Sequence, residues 1–256
     1  MIIATWNLNS VRARLPRLLP WLETVRPDLV CLQELKCRDE DFPREPFARI
    51  GHQVAHHGVD HWNGVAITSR LGLDDIRAGF RDPATPPFDE PRLLSATVNG
   101  VDVSSIYAPN GRALDDPHYL FKLVWLERLR GDLAARRVHC VPTVVGGDFN
   151  VAPTDADIYD PVRWRRRTHA SEPERAAIRA LLDLGLDDLL RARRPEPDLF
   201  TWCGYRPGQF ERNRGLRIDL LLTSPSVSAR AVDIRVDRAA RALDRPSDHA
   251  PVVLDL

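Results

Sequence analysis

The chain has no excess of either charge and few cysteines. Its 256 residues include 36 Lys and Arg residues and 36 Asp and Glu residues. No global field therefore attracts a polyanion, and any affinity for nucleic acid has to come from local patches. The four cysteines are scattered without a Cys-x-x-Cys pair, which argues against a zinc knuckle or a disulfide framework. A reducing, cytoplasmic location is expected.

Long apolar segments and lysine are also scarce. No stretch approaches the roughly 18 uncharged apolar residues of a membrane-spanning helix. The N-terminal sequence MIIATWN lacks the basic and apolar regions of a signal peptide, so we expect no membrane partner. Lys36 and Lys122 are the only lysines. Almost all positive charge thus lies on arginine, whose planar group binds phosphate through a fork of donors.

The chain does contain many short apolar segments and several amphipathic ones. Residues 2–6 predict a strand and residues 12–25 a helix with apolar positions at helical spacing, while Asn99 and Gly100 predict a β-hairpin. Further strands are predicted at 28–33, 64–68, 93–98, 101–107, 143–145, 218–223, 231–236 and 252–254, and further helices at 118–136 and 174–184. The 118–136 helix is expected to bury a face of Leu120, Leu123, Val124, Leu126, Leu129 and Leu133. These patterns predict one α/β domain over residues 1–256, with mixed sheets.

Acidic and amide residues interrupt several of the apolar segments. Such groups are costly to bury unless they are paired or bind an ion. Several at one sheet edge would form a site for Mg²⁺, which prefers carboxylate and amide oxygens. Two glycines precede Asp148, so the backbone can approach closely there, and Asp148 and Asn150 face the same side at a period of two. The interrupting residues are Asn7, Asn9, Glu34, Asp148, Asn150, Asp219, Asp248 and His249.

Each of these residues also has an ordinary structural interpretation. Asn7 could cap a turn, and Asp219 could pair with a buried arginine. Asp248 and His249 could form a satisfied surface pair, and Tyr107, at the end of a strand, could keep its hydroxyl in water. Together, however, the motifs suit the hydrolysis of a phosphodiester, in which a cation, a carboxylate and neutral donors act on one phosphate.

Eight segments spread along the chain carry a more specific pattern. They are TWNLNSVR (5–12), LQELKC (32–37), WNGVAI (62–67), IYAPNG (106–111), GDFNVAP (147–153), DIYDP (157–161), RNRGLRID (212–219) and SDHAP (247–251). Together they resemble the exonuclease III type of AP endonuclease, within the superfamily of endonuclease, exonuclease and phosphatase folds. The resemblance implies a four-layer α/β sandwich, in which two mixed β-sheets pack face to face with helices outside.

The resemblance implies a metal site. Glu34 would be the principal Mg²⁺ ligand, with Asn7 and Asp248 contributing nearby, and Mn²⁺ is an alternative ion. Asn9 matches the bacterial pattern beside the metal. A bound cation of this kind neutralises the oxygens of a phosphate under attack.

The resemblance also implies a set of catalytic residues. Asp148 would activate the attacking water. Asn150 and Tyr107 would hold the scissile phosphate. His249 would donate a hydrogen bond to this phosphate, while Asp219 fixes the orientation of the imidazole.

A pocket for an abasic site is implied for residues 200–218. Trp202, Leu216 and Ile218 would form its apolar wall, against which a deoxyribose without a base can lie. Members of the family usually carry an aromatic pair where this chain has Trp202 and Cys203, and commonly Trp where it has Leu216. The wall is therefore expected to be smaller than is usual.

Polar residues around the predicted pocket are candidate DNA contacts. Arg206, Asn213 and Arg214 are the predicted DNA-binding residues, because arginine contacts to phosphate supply affinity. Solvated loops are the alternative interpretation. The two arginine-rich groups comprise Arg163, Arg165, Arg166 and Arg167, and Arg206, Arg212, Arg214 and Arg217.

The sequence thus favours a Mg²⁺-dependent DNA repair nuclease that hydrolyses the phosphodiester 5′ to abasic sites and trims 3′ ends during base excision repair. Its partner would be double-stranded DNA with abasic sites or 3′ ends, and a monomer is expected. Two alternatives remain open. One is a phosphodiesterase or phosphatase of the same superfamily that acts on lipid or inositol phosphates. The other is a DNA-binding module that has lost catalysis.

Overall fold

Twelve strands form two six-stranded sheets in the computed structural model, which describes residues 1–82, 89–242 and 244–256. The strands are β1 (Ile2–Asn7), β2 (Leu29–Gln33), β3 (Gln53–His57), β4 (Val65–Ser69), β5 (Asp74–Ala78), β6 (Leu93–Val98), β7 (Val101–Tyr107), β8 (Thr143–Asp148), β9 (Asp187–Asp188), β10 (Asp219–Thr223), β11 (Asp233–Val236) and β12 (Val252–Asp255).

The two sheets share one arrangement. The strand order is β11-β12-β1-β2-β4-β3 in the first sheet and β5-β6-β7-β8-β10-β9 in the second. In each sheet the central pair, β1–β2 or β7–β8, is parallel, and the other neighbours are antiparallel. Both sheets are mixed, as predicted.

Helices cover the outer faces of the sheets. Helix α1 packs on the first sheet, while α3 and α5 pack on the second. The helices are α1 (Val11–Val25), α2 (Arg44–Arg49), α3 (Pro117–Ala135), α4 (Pro161–Trp164), α5 (Glu172–Leu182), α6 (Leu189–Arg193), α7 (Pro225–Ser228) and α8 (Arg238–Arg241), with 3₁₀ turns at Asp39–Asp41 and Asp155–Asp157. Within the described residues, none of these helices is both long enough and apolar enough to span a bilayer.

Three apolar cores separate these layers. One lies between the sheets and includes Ile3, Cys31, Ile67, Val103, Val144 and Leu221. The second lies between the first sheet and α1, and includes Trp6, Leu18, Leu22 and Leu32. The third lies between the second sheet and its helices, and includes Trp125, Leu129, Val145 and Ile178. The order helix, sheet, sheet, helix confirms the predicted four-layer α/β sandwich.

The two glycines of β8 are required by close packing. A Cβ atom at Gly146 would lie 2.8 Å from Cδ2 of Leu221, and one at Gly147 would lie 2.0 Å from the carbonyl oxygen of Ile106. A side chain at either position would therefore push β8 away from its neighbours. The glycines keep the end of this strand, and hence Asp148, close to the other strands.

Helix α3 buries only part of the predicted face. Leu126, Leu129 and Leu133 are buried as predicted, whereas Leu120 and Val124 are exposed. Tyr119, Lys122 and Trp125 are buried on the inner side as well, and the count of leucines and valines missed them because it gave no weight to aromatic or charged residues. Lys122 is fully buried since it pairs with Glu174 of α5.

Arg217 was predicted to belong to a cluster of arginines around the pocket, but the structure gives it a different position. Its side chain is fully buried and lies between two carboxylates. Nε donates to Asp157 at 2.6 Å, and the two terminal nitrogens donate to the two oxygens of Asp188 at 2.9 and 2.7 Å. Burial alone would raise the pKa of Asp157, but the guanidinium of Arg217, with hydrogen bonds from Arg191 and Thr154, outweighs burial and holds that pKa below its ordinary value. Arg217 is a structural cation rather than a phosphate contact.

Replacement of Arg217 by Met tests this assignment. Loss of the cation leaves Asp188 without its ion-pair partner and Asp157 with Arg191 alone, so the free energy of unfolding should fall by about 3–5 kcal/mol. Urea denaturation measures the change. Arg49→Ala is the control, because its ion pair with Glu45 is largely exposed and should leave the unfolding midpoint unchanged. A similarly small effect for both variants would contradict a structural role for Arg217.

Candidate active site

The carboxyl ends of the two parallel strand pairs meet at one end of the sandwich. In the first sheet Asn7 pairs with Gln33, which directly precedes Glu34. In the second sheet Tyr107 pairs with Asp148. The Nδ2 atom of Asn7 donates to Oδ2 of Asp148 at 2.9 Å and so joins the two sheets. Four central strands therefore deliver their last polar residues to one place.

Glu34 lies in a left-handed backbone conformation, with a φ angle of 51°. This region is unfavourable for residues other than glycine and persists only where the surroundings hold it. The backbone N–H of Ser10 donates to the carbonyl of Glu34 at 2.8 Å. Its carboxylate accepts from Nδ2 of Asn7 at 2.9 Å and pairs with Nζ of Lys36 at 2.8 Å. These contacts aim the carboxylate into the site.

Asp148 is buried and accepts two hydrogen bonds. Its Oδ2 accepts from Asn7, and its Oδ1 accepts from the backbone N–H of Asn150 at 2.8 Å. Burial raises the pKa of Asp148 to about 7, and the nearby carboxylates of Asp219 and Glu34 act in the same direction. A carboxylate in this position is suited to accept a proton.

His249 is oriented by Asp219, as the resemblance implied. Nδ1 of the imidazole lies 2.8 Å from Oδ2 of Asp219, and Nε2 lies 3.9 Å from Oδ2 of Asp148. Burial alone would lower the pKa of His249, but the carboxylates of Asp219, Asp148 and Asp248 together outweigh burial and raise it to about 10. An imidazolium held in this way can donate to an anionic phosphate oxygen.

A metal ion fits the acidic end of this cluster. Among the described residues, a carboxylate oxygen of Glu34, a carboxylate oxygen of Asp148 and a ring nitrogen of His249 lie within 4.8 Å of one another. Two of the three are carboxylates, which suit a hard cation such as Mg²⁺. Oδ1 of Asp219 is buried and meets no hydrogen-bond donor within the described ranges, so the site carries more negative charge than its own donors satisfy. A divalent cation would offset that excess.

Asn7 and Asp248, the other two predicted metal ligands, lie beside the acidic cluster rather than at its centre. Asn7 meets both carboxylates through its nitrogen, and its Oδ1 accepts from the backbone N–H of Asn9 at 3.0 Å. Asp248 lies beside the cluster, where Oδ1 accepts from Nδ2 of Asn9 at 2.9 Å and Oδ2 accepts from Nε1 of Trp202 at 3.0 Å. Both residues border the acidic group, while Glu34 and Asp148 form its centre.

Tyr107 borders the same cluster from the end of β7. Burial raises the pKa of its hydroxyl well above the ordinary value, and the carboxylates of Glu34 and Asp148 contribute to the rise. The guanidinium of Arg92 lies over the ring, 4.9 Å from its centre. The hydroxyl therefore stays neutral and can donate a hydrogen bond.

A cavity of about 230 Å³ opens directly onto these groups. Trp202, Leu216 and Ile218 form part of its wall, and Trp202 pairs with both Leu216 and His249 through isolated β-bridges. One side of the cavity is thus apolar and the other carries the charged residues. The charged and polar lining comprises Glu34, Asn110, Asp148, Asn150, His169, Asp248 and His249.

The structure adds three residues that the sequence analysis did not assign to the pocket. The ring of Trp164 lies edge-on to Trp202, with the centroids 6.5 Å apart. Nε2 of His169 lies 3.0 Å from Oδ1 of Asn150, and Nδ2 of Asn110 lies 3.3 Å from the same oxygen. Burial lowers the pKa of His169 to about 3, so its ring is neutral. Asn110 lies within the quoted motif at 106–111, but the neighbourhood of Trp164 and His169 gave no signal.

The predicted DNA-binding residues are not among the residues that line the pocket. Arg206 and Arg214 are exposed. Asn213 is engaged within the protein, since its Nδ2 donates to the carbonyl of Asp198 at 2.9 Å and its Oδ1 accepts from Arg238 at 2.6 Å. A second, more open cavity of about 580 Å³ adjoins the pocket through Trp164 and His169, and the arginines that line it are Arg112, Arg166 and Arg167.

Comparisons with known proteins agree with this geometry. Residues 4–249 match the model of the Endonuclease/Exonuclease/phosphatase family. An exodeoxyribonuclease III of Haemophilus influenzae is 34% identical over 98% of both chains. A solved 3′-5′ exonuclease (NExo) from Neisseria meningitidis is 43% identical, with a TM-score of 0.96 over 100% of this chain and 99% of that one. An AP endonuclease structure from Archaeoglobus fulgidus is 38% identical, with the same TM-score and coverage.

The fold, the sequence and the arrangement of polar residues therefore indicate the same family. The chain belongs to the endonuclease/exonuclease/phosphatase family and is a hydrolytic DNA repair nuclease with exodeoxyribonuclease III and AP endonuclease relatives.

Proposed function

We propose that the protein is a Mg²⁺-dependent nuclease that hydrolyses the phosphodiester 5′ to an abasic site in duplex DNA and also trims 3′ ends. The observation that carries this proposal is the two-sided cavity of about 230 Å³. Its apolar wall suits the face of a deoxyribose, and its polar side suits the adjoining phosphate. An intact nucleotide is larger than a sugar without its base, so a small pocket favours the abasic residue.

The side chains divide the chemistry among them. Asp148 accepts a proton from the attacking water, since it is a buried carboxylate at the centre of the polar side. Asn150, Tyr107 and His249 donate hydrogen bonds to the phosphate, and Asp219 holds the imidazole of His249 in place. Such preorganised donors stabilise charge that develops in the transition state.

Glu34 would hold Mg²⁺, with Asn7 and Asp248 bordering the ion and Mn²⁺ as an alternative. When bound, the ion neutralises charge on the phosphate oxygens. The exposed Arg206 and Arg214 would contact DNA phosphates on one side of the pocket. Asn213 would order this loop, since it contacts Asp198 and Arg238. We propose that the protein acts as a monomer in the cytoplasm.

A second candidate is an enzyme restricted to 3′ ends, and the position of His169 favours it. The imidazole forms part of the cavity lining and contacts Asn150, so it narrows the space available to a sugar. A 3′ terminus requires less room, because the strand does not continue beyond it. The Neisseria relative is described as a 3′-5′ exonuclease and, in a structure with a product DNA hairpin, as a 3′ phosphatase.

Cleavage of a labelled duplex with one tetrahydrofuran abasic analogue tests the main proposal. Incision 5′ to the analogue should require Mg²⁺ and stop in EDTA. Asp148→Asn should lower kcat by about 10²–10⁴-fold, because the variant cannot accept the proton of the attacking water. An undamaged duplex and a soluble lipid or inositol phosphate are the parallel substrates.

Each other result has a definite meaning. Turnover of only the lipid or inositol phosphate would contradict the repair function. Wild-type turnover in Asp148→Asn would exclude the assigned role of Asp148. Absence of turnover on every substrate would favour the binding module.

His169→Ala separates internal incision from 3′-end trimming. Removal of the imidazole enlarges the pocket, so the ratio of incision at the analogue to 3′-end hydrolysis should rise about tenfold. Gel analysis of both products from one duplex measures this ratio. An unchanged ratio would show that His169 does not limit which sugar enters, and the second candidate would then lose its support.

A further inference from the structure

Both lysines of the chain lie at the active site. They are two of the 36 Lys and Arg residues. Lys36 contacts Glu34 and Asn9 at the surface of the site, whereas Lys122 lies beneath Asn150. All the other residues of this set are arginines. A lysine therefore indicates a position that needs a compact ammonium group rather than the planar guanidinium of arginine.

The ammonium of Lys122 is fully buried and surrounded by oxygen atoms. It pairs with the Glu174 carboxylate, which is also fully buried. It donates to the carbonyl of Asn150 at 2.6 Å and lies 3.4 Å from the carbonyl of Asn110 and 3.5 Å from Oγ1 of Thr168. These four acceptors converge on one nitrogen, and the three N–H donors of an ammonium suit such a compact cluster.

Glu174 extends this connection to the segment that carries His169. Its Oε1 accepts from the backbone N–H of His169 at 2.9 Å and from Oγ1 of Thr168 at 2.8 Å. Its Oε2 accepts from the backbone N–H of Ser171 at 3.0 Å and from the hydroxyl of the same residue at 2.6 Å. The ion pair therefore ties the turn at residues 168–171 to the ends of β7 and β8.

The tied segments carry the three polar side chains on one side of the pocket. Asn110 and His169 both contact Oδ1 of Asn150, and Nδ2 of Asn150 donates to the carbonyl of Ala108 at 2.9 Å. Asn150 has a left-handed backbone, with a φ angle of 53°. A residue in this strained conformation needs support from its surroundings, and Lys122 provides it at the carbonyl of Asn150.

The stem and the head group of Lys122 are both closely packed. A Cβ atom on Gly111 would lie 3.1 Å from Cδ of Lys122 and 2.6 Å from Oγ1 of Thr168, and the oxygens of Glu174, Asn150, Asn110 and Thr168 surround the ammonium. An arginine would place a planar group of three nitrogens where one nitrogen now fits. It would have to displace the loop of Asn110 or the backbone of Asn150.

We propose that the buried Lys122–Glu174 ion pair positions Asn150 for contact with the phosphate in the nuclease site. This role requires lysine itself rather than positive charge alone. The inference rests on the proposed function only in taking Asn150 as a phosphate contact. Lys122 touches no substrate and acts through Asn150.

Lys122→Arg tests the requirement for lysine, since it keeps the charge and changes the shape. A shift of Asn150 by about 1 Å should lower kcat by about 10²-fold while KM stays unchanged. The double variant Lys122→Arg/Asn150→Ala should be no slower than Asn150→Ala alone, because both changes remove the same contact. The proposal would be overturned if the two reductions in kcat multiplied in the double variant, or if Lys122→Arg had the kcat of the wild type.

Arg136→Lys is the matched control for a buried cation. Arg136 pairs with Asp102 and Asp132 at the opposite end of β7 from Tyr107. It should lower the melting temperature without changing kcat per folded molecule. If Lys122→Arg does not fold, Lys122→Met/Glu174→Gln replaces the charged pair with a neutral one of similar size, which is tolerated better than a single buried charge. This variant should fold and show the same loss of kcat; wild-type kcat in it would refute the positioning role.

The side-chain amide resonances of Asn150 provide a readout that needs no turnover. They should shift in Lys122→Arg and stay in place in Arg136→Lys. Unshifted resonances in Lys122→Arg would refute the positioning role. A wild-type enzyme without activity on any duplex would instead refute the proposed function, and the resonances would still decide whether Lys122 positions Asn150.

Discussion

Repulsion among poorly solvated carboxylates is the constraint on which the active site depends. Asp148 and Asp219 are buried and Glu34 and Asp248 are half-buried at the end of a two-sheet core, where water screens their charges poorly. The imidazolium of His249 offsets part of this charge, and Lys36 offsets part of it at Glu34. The negative charge that remains favours the binding of a divalent cation and, through that cation, of a phosphate.

The architecture concentrates these charges because both sheets have a parallel pair of strands at their centre. The carboxyl ends of the two pairs meet, so Asn7 and Glu34 from one sheet face Asp148 and Tyr107 from the other. Glycines in β8 let this strand approach closely. Left-handed backbone at Glu34 and at Asn150 then turns each chain sharply after its strand. Close packing makes both positions rigid, which suits donors that must be in place before the reaction begins.

The sequence predicted those strands whose burial produces a recognisable pattern of apolar residues. Several central strands are buried on both faces and have mostly apolar sequences, so the predicted segments at 2–6 and 28–33 correspond to β1 and β2. The edge strands β3, β5 and β9 were not predicted because they are partly exposed, and β5 carries mostly polar side chains. Polar residues at strand ends were predictable for the same reason, since they interrupt an apolar segment.

Residues that reach the site through tertiary contacts left no such pattern. Trp164 lies within an arginine-rich segment, and His169 lies in a turn. Lys122 lies among leucines, so its position on the buried side of α3 follows only from its pairing with Glu174, 52 residues later in the chain. Arg217 was predicted at the pocket because arginines cluster there in sequence, but two carboxylates hold it in the interior.

Thermal unfolding with Mg²⁺ and with EDTA tests most directly whether carboxylate repulsion defines this site. Mg²⁺ should raise the melting temperature of the wild type, because it binds the folded state and offsets the buried charge. Glu34→Gln should melt at a higher temperature than the wild type in EDTA and should gain nothing from Mg²⁺. An equal gain from Mg²⁺ in both proteins, with Glu34→Gln no more stable than the wild type in EDTA, would contradict the account.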